Sequence, residues 1–311
     1  MARVKVALAW AALLIFAGLS GAAAATKMSI LYYPGGGYTP LFVAKDQGFF
    51  AKHQLDVDLT QVVNQSTVIP ALQAGTVQLA PTTMLGLLQA VQAGIDLTAI
   101  AGSAVSTPTS HLSSVIVRRD SKINGPKDLA GKTIAVPGLN EYFHILTRRW
   151  LKNQGVDVKQ VKFVEISLPV MGDALKAGTV DAVLTLQPFS DRIVDTDGRV
   201  LIYFDSTLPA DTLTTVYATT RDWANANKDA VAAVRASLDE GVAFMKSNDA
   251  AARASVAKYL KLPPEVVGKM TFPRIKDQLV PSQIDFWINL AKDDGLLPAT
   301  STISTQSLLF P

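Results

Sequence analysis

Short β-like runs in this chain repeatedly give way to helical stretches through segments rich in hydrogen-bonding side chains: Tyr38-Thr39, Ser66-Thr67, Thr82-Thr83, Asn140-Glu141-Tyr142 and Gln187. Hydroxyls, amides and a single carboxylate at such positions suit the grip on a small molecule better than they suit the making of bonds. Neither H-E-x-x-H nor G-x-S-x-G occurs, and no paired carboxylates stand out. The three histidines, His53, His111 and His144, lack metal-ligand spacing. His144 lies three residues after Glu141 and is the one candidate base near these segments, but a packing or surface role accounts for it better. Cysteine is absent, which removes disulfides, thiolate nucleophiles and thiolate-bound metals. The expectation is therefore a binding protein with no catalytic residue, no metal and no cofactor.

The same segments (residues 34–40, 64–67, 81–84, 137–143 and 187–189) contain no Lys or Arg. An anion there would rely on backbone N–H groups at helix starts, near Tyr38-Thr39, Ser66-Thr67 and Asn140-Glu141, helped by hydroxyls. A sulfonate could be held that way without an ion pair. Glu141 pulls in the other direction, because a carboxylate facing the ligand repels an anion and prefers an amine or an aminopyrimidine. Plainer roles stand beside each of these: Ser66 and Thr67 as helix caps, Gly35-Gly36-Gly37 as a turn, Tyr38 and Tyr142 as packing, and Glu141 as a charge that favours a helix start. YYPGGGY follows a strand as a phosphate loop would, yet neither G-x-G-x-x-G nor G-x-x-x-x-G-K-[ST] is satisfied.

A duplicated phrase identifies the elements that position these residues. ALQAGTVQLA begins at Ala71 and ALKAGTVDAV at Ala174, 103 residues later. In each copy a leucine sits in the last helical turn, a glycine (Gly75, Gly178) closes the helix, and Thr-Val opens a strand. Ahead of the first copy the pattern predicts a strand over Met28–Tyr33, a helix over Leu41–His53, a strand from Leu55 and a helix over Val68–Ala74. Ahead of the second it predicts a strand from Thr133, a helix over Glu141–Gly155, a strand over Val161–Ile166 and a helix over Val170–Ala177. Two β-α-β-α-β units make two open parallel α/β lobes. Ser113–Ser121 and Thr214–Asp222 read as β-like connectors between them, and two crossings suggest a hinge. The tail is helical: Lys228–Ser247, then Asp249–Leu260 capped by Asn248, then a last helix opened by a Ser282/Asp285 capping box, lined by Ile284, Trp287, Ile288 and Ala291 and ended by Gly295.

The first 25 of the 311 residues stand apart. Arg3 and Lys5 precede an apolar run from Val6 to Leu19 and a stretch of small residues, the layout of a secretory signal peptide cleaved near Ala25. The resulting organisation is a signal peptide over 1–25, the first part of lobe 1 over 26–114, lobe 2 over 115–213, and a return to lobe 1 with the C-terminal helices over 214–311. Losing two positive charges leaves the mature chain close to neutral, which argues against nucleic acid as a partner.

In this order, PLFVAKDQGFFAKHQLDVDL (Pro40–Leu59), the ALQAGTVQLA phrase, DLAGKTIAVPGLNEYFHILTRRWLKNQGVDVKQVKFVEI (Asp128–Ile166), LQPF (Leu186–Phe189) and KYLKLPPEVV (Lys258–Val267) resemble the type II periplasmic substrate-binding proteins of ABC importers. The likeness is to the nitrate, taurine and alkanesulfonate group, which also takes in binders of thiamine-pyrimidine precursors. The chain departs from that group in its Gly-Gly-Gly loop and in carrying Gln187 where an acidic residue or tryptophan is usual. The resemblance implies a type II periplasmic-binding-protein-like fold, two α/β lobes joined by a two-crossing hinge. It implies a monomer in the periplasm that captures a small organic solute, alkanesulfonate-, taurine- or nitrate-like, or alternatively a neutral or cationic heterocycle, and passes it to permease subunits. An enzyme of the same fold is the lesser alternative. Ligand contacts are expected from Tyr38, Thr39, Ser66, Thr67, Thr82, Thr83, Asn140, Glu141, Tyr142 and Gln187, with Thr82-Thr83 and Gln187 delivered by the strands that follow the duplicated glycines.

Overall fold

The computed structural model describes residues 25–62, 65–107, 109, 111–276 and 278–311; the expected signal segment lies outside these apart from Ala25. Strand β1 (Thr26–Tyr32) leads into helix α1 (Thr39–Asp46) and the single turn α2 (Phe49–Lys52). The long helix expected here is split because Gly48 adopts a left-handed backbone, φ 75°, and reverses the chain. Strand β2 (Leu55–Gln61) alternates buried Leu55 and Val57 with exposed Asp56 and Asp58, as an outer strand should, and pairs in parallel with β1. After α3 (Val68–Gln73) come β3 (Ala80–Thr83), α4 (Met84–Gln92), β4 (Leu97–Gly102) and the short β5 (Ala104–Val105).

The second lobe follows: β6 (Ser113–Arg118), β7 (Thr133–Val136), α5 (Tyr142–Asn153), β8 (Lys162–Glu165), α6 (Met171–Lys176), β9 (Ala182–Leu186), α7 (Phe189–Asp195) and β10 (Gly198–Tyr203). Its sheet has the order β10-β6-β9-β7-β8. The chain then returns to the first lobe through β11 (Thr215–Thr220) and continues as α8 (Arg221–Ala226), α9 (Lys228–Ser247), α10 (Asp249–Leu260), α11 (Pro264–Lys269), β12 (Arg274–Ile275), α12 (Pro281–Asp293) and α13 (Thr305–Leu308). It passes between the two sheet systems twice, between β5 and β6 and between β10 and β11.

The duplicated phrase is one turn built twice. Gly75 and Gly178 take φ 67° and 71°, and their N–H groups donate to the carbonyls of Leu72 and Leu175, both at 3.1 Å. The threonine after each glycine donates back to the helix, Thr76 Oγ1 to Ala71 O at 3.1 Å and Thr179 Oγ1 to Ala174 O at 2.8 Å. Glycine supplies the left-handed backbone and threonine satisfies a helix-end carbonyl, which explains the identical residues. The strands open later than the phrase suggests, at Ala80 and Ala182.

The parallel pairs β1-β2, β7-β8 and β7-β9 agree with the β-α-β reading. The two expected connectors, however, are interior strands: β6 lies between β10 and β9, β11 lies between β3 and β4, and all four pairings are antiparallel. The reason is hydrophobic. Val115, Ile116 and Val117 are completely buried, as are Val216 and Ala218 with Tyr217 between them nearly so, and both faces of these strands therefore need cover, which suits a central position. Two caps also differ. The Asn248 side chain donates to Phe244 O at 3.0 Å instead of capping α10, and α12 starts at Pro281, leaving Asp285 to accept from Thr305 Oγ1. The stripe on α12 is core as read, with Ile284 and Trp287 fully buried. Trp287 packs against Tyr142 of α5 with ring centroids 5.6 Å apart, so α12 braces the second lobe from the first.

Candidate functional site

At the carboxyl end of β3 the chain turns directly into α4, and Thr83 serves as the helix cap: its Oγ1 accepts the Gly86 N–H at 3.0 Å. Gly86 leaves the space in front of this turn open. A Cβ there would lie 2.7 Å from Thr82 Oγ1 and 3.2 Å from Thr83 Oγ1. Ser66 approaches from the start of α3, and Gln89 from the next turn of α4. Glu141 and Tyr142 close the far side from the start of α5. Together they enclose a hollow of about 260 Å³.

Glu141 dominates the electrostatics. It sits at the cap position of α5, but its side chain caps nothing. Burial, and then the negative charge of Glu165, push its pKa up to about 7. Glu165 is itself held by the Leu139 N–H at 3.3 Å. No Lys or Arg is among the residues lining the hollow. A half-buried carboxylate without a cation beside hydroxyls and an amide can accept N–H donors and favour positive charge, and it is poorly suited to an anion. Tyr33, at the end of β1, adds a buried hydroxyl with no hydrogen-bond partner among the described residues, and its pKa is raised by burial, by Tyr38 and by Glu141.

Of the ten residues expected from sequence, the structure gathers Ser66, Thr82, Thr83, Glu141 and Tyr142 around this hollow. The other five lie elsewhere. Thr39 is fully buried and its hydroxyl donates to Gly36 O at 2.6 Å. Tyr38 packs between Tyr33 and Tyr217, centroids 6.4 and 6.3 Å away. Thr67 occupies the cap position of α3 without a capping bond from its side chain. Asn140 has a left-handed backbone, φ 60°, and lines a separate hollow behind the turn. Gln187 is engaged at both ends of its amide: Nε2 donates to Asp191 at 3.0 and 3.2 Å, and Oε1 accepts the Thr271 N–H at 3.1 Å.

Three of these contacts join the lobes. Gln187 reaches Thr271, Gln89 Nε2 donates to Asn140 O at 3.1 Å, and a Cβ on Gly35 would stand 3.6 Å from Leu186 Cδ1. The glycine loop is thus packed against the end of β9, and Ser103 Oγ holds Gly37 O at 2.9 Å. Sequence reasoning missed Gly86 and Gln89. The signal for Gly86 was present, since a cap threonine followed three residues later by glycine places a bare backbone in front of the hydroxyl.

A family model described as NMT1/THI5 like matches residues 36–252. A formylaminopyrimidine-binding protein of Halalkalibacterium halodurans is 27% identical over 175 residues, 56% of this chain and 51% of its own. A 4-amino-5-hydroxymethyl-2-methylpyrimidine phosphate synthase of Legionella pneumophila is 25% identical over 150 residues, 48% of this chain and 45% of its own. The chain thus spans about half the length of these relatives. Among solved structures, the alkanesulfonate-binding protein SsuA of Xanthomonas axonopodis pv. citri, bound to MOPS, superposes with a TM-score of 0.77 at 21% identity, covering 92% of this chain and 98% of that one. The fold is that of the periplasmic binding proteins.

Proposed function

We propose that this chain, which belongs to the NMT1/THI5-like family, is the solute-binding component of an ABC-type importer. It would capture a small heterocycle bearing N–H donors, of the aminopyrimidine class, between its two lobes and deliver it to permease subunits as a monomer working in the periplasm. The observation that carries the ligand class is Glu141, a half-buried carboxylate in a hollow lined by hydroxyls and an amide but by no cation. A ring-protonated aminopyrimidine presents its ring N–H beside an amino N–H, a pair that a carboxylate accepts together; a protonated Glu141 can instead donate to a bare ring nitrogen while accepting from the amino group, and a sulfonate or nitrate would face like charge from the ionised form. The name of the Halalkalibacterium relative supports the same class.

Binding without chemistry is favoured because the Halalkalibacterium relative and the Xanthomonas structure are both named as binding proteins. Closure is a population shift in which the solute touches the Thr82-Thr83 side in the open state and both sides in the closed one. The test is titration calorimetry of the purified protein against a 4-amino-2-methylpyrimidine, taurine, ethanesulfonate and nitrate. Saturable binding of the aminopyrimidine with none of the anions is expected. Binding of taurine, ethanesulfonate or nitrate in preference would overturn the ligand class, and steady turnover of the aminopyrimidine would favour the enzyme that the Legionella relative is named for.

A further inference from the structure

The turn that presents Glu141 has a second side. Behind Asn140 lies another hollow, of about 320 Å³, walled by Leu139, His144 and Phe163 and edged by Arg148 and Lys159. Neither cation has an ion-pair partner among the described residues. The adjacent Asp157 carboxylate accepts the Lys159 backbone N–H through Oδ1 at 3.0 Å. His144 is nearly buried, and its orientation is fixed: Nδ1 accepts the Asn140 N–H at 2.7 Å, and the ring lies 4.4 Å from that of Phe163. Burial, and then the charge of Arg148, hold its pKa down to about 4, so the imidazole is neutral and its proton sits on Nε2.

The hollow therefore joins two unpaired positive charges, one oriented N–H donor and an apolar wall. We propose that it binds a small organic anion, with the carboxylate or phosphate oxygens between Arg148 and Lys159, His144 Nε2–H donating to them, and the apolar part against Leu139 and Phe163. Its volume lies in the range of small-ligand sites. Its charge is opposite to that of the hollow around Glu141, so the two would not compete for one ligand. Asn140 links the two, its N–H going to His144 in this hollow and its carbonyl taking Gln89, which lines the other.

The experiment follows the imidazole C–H resonances of the three histidines by NMR while phenyl phosphate, benzoate or inorganic phosphate is added, with His144→Gln to assign the signal. Arg148 and Lys159 are exposed, so the double variant Arg148→Gln/Lys159→Gln keeps its fold, which circular dichroism verifies. Saturable movement of the His144 signal with phenyl phosphate or benzoate is expected, weakened roughly tenfold or more in the double variant. No saturation, or a response undiminished in that variant, overturns the site. Inorganic phosphate binding as tightly as phenyl phosphate overturns the role given to the apolar wall. None of these outcomes depends on what binds at Glu141.

Discussion

Replacing Glu141 by glutamine should weaken binding and strengthen the fold at once. In the folded chain burial moves this carboxyl from its ordinary 4.5 to about 7, so the fold disfavours the charged form. Stability contributed by the protonated group is complete below pH 4.5 and is lost as pH rises through 7, because over that window the native state holds a proton that the unfolded chain has released. At 1.36 kcal/mol per pH unit the full displacement would correspond to about 3.4 kcal/mol. The side chain is partly open to solvent, and screening reduces this to about 1–2 kcal/mol. Glu141→Gln should therefore raise the melting temperature at pH 8 by on the order of 2–6 °C and leave it unchanged at pH 4. Affinity for an aminopyrimidine should fall about 10–150-fold, the equivalent of a charge-assisted hydrogen bond worth ~1.5–3 kcal/mol. For a neutral donor, wild-type affinity should level off above pH 8 and drop about tenfold per pH unit below 7 until it meets that of the glutamine variant, whose profile should be flat. Differential scanning calorimetry and titration calorimetry at pH 4, 6 and 8 read both effects. Equal melting temperatures at pH 8, together with an unchanged affinity, would refute the assignment of Glu141 as a ligand-facing carboxylate.

Two further substitutions probe the same hollow and a third probes an interlobe contact. Gly86→Ala places a Cβ 2.7 Å from Thr82 Oγ1, so that hydroxyl must rotate away, whereas Thr83 Oγ1, at 3.2 Å, need yield only slightly and keeps its capping bond; Kd should rise several-fold with little change in melting temperature, and an unaltered Kd would separate the Thr82 hydroxyl from the ligand. Thr83→Ala removes a helix cap, costing about 1 kcal/mol in urea denaturation, and also weakens binding. Gln187→Ala removes the link from Thr271 and both bonds to Asp191. Losing the one interlobe bond, about 0.5–1.5 kcal/mol, should shift the closed-to-open ratio roughly 2–13-fold toward open, seen as a larger radius of gyration in ligand-free small-angle scattering.

The α/β character, the paired β-α-β units and most helix spans were legible because each rests on a local signal: period-2 alternation in Leu55–Gln61, a 3.6-residue stripe over Lys228–Ser247, and Gly75 and Gly178 closing helices. What stayed hidden was decided by distant neighbours. Strands β6 and β11 looked like connectors because a short apolar run carries no record of what covers its two faces. The same holds at the site. Thr82, Thr83 and Glu141 were recognisable from their place at strand and helix ends, but the use of Thr39 inside its own turn and of Gln187 on Thr271 depends on partners 3 and 84 residues away. A hydroxyl or amide at a strand end is a candidate until the competing acceptor is seen.

The charge selectivity of such a protein would reside in closure. Every polar group that the first lobe brings to the hollow (Ser66, Thr82, Thr83 and Gln89) is neutral, and the one charged group, Glu141, arrives on α5 of the second lobe. A solute first held by the neutral side meets the carboxylate only as the lobes come together. An opposite charge brought to about 4 Å of the ionised carboxylate at the effective dielectric of a protein surface gains about 4 kcal/mol, which shifts the closed fraction by about three orders of magnitude. An anion meets a carboxyl that takes up a proton near pH 7, so its penalty grows only by about 1.36 kcal/mol for each pH unit above that value. Discrimination against anions should therefore sharpen as pH rises. A donor-bearing heterocycle would close the lobes on itself, and because the Gln89–Asn140 and Gln187–Thr271 bonds also join the lobes, the carboxylate need supply only the difference between solutes.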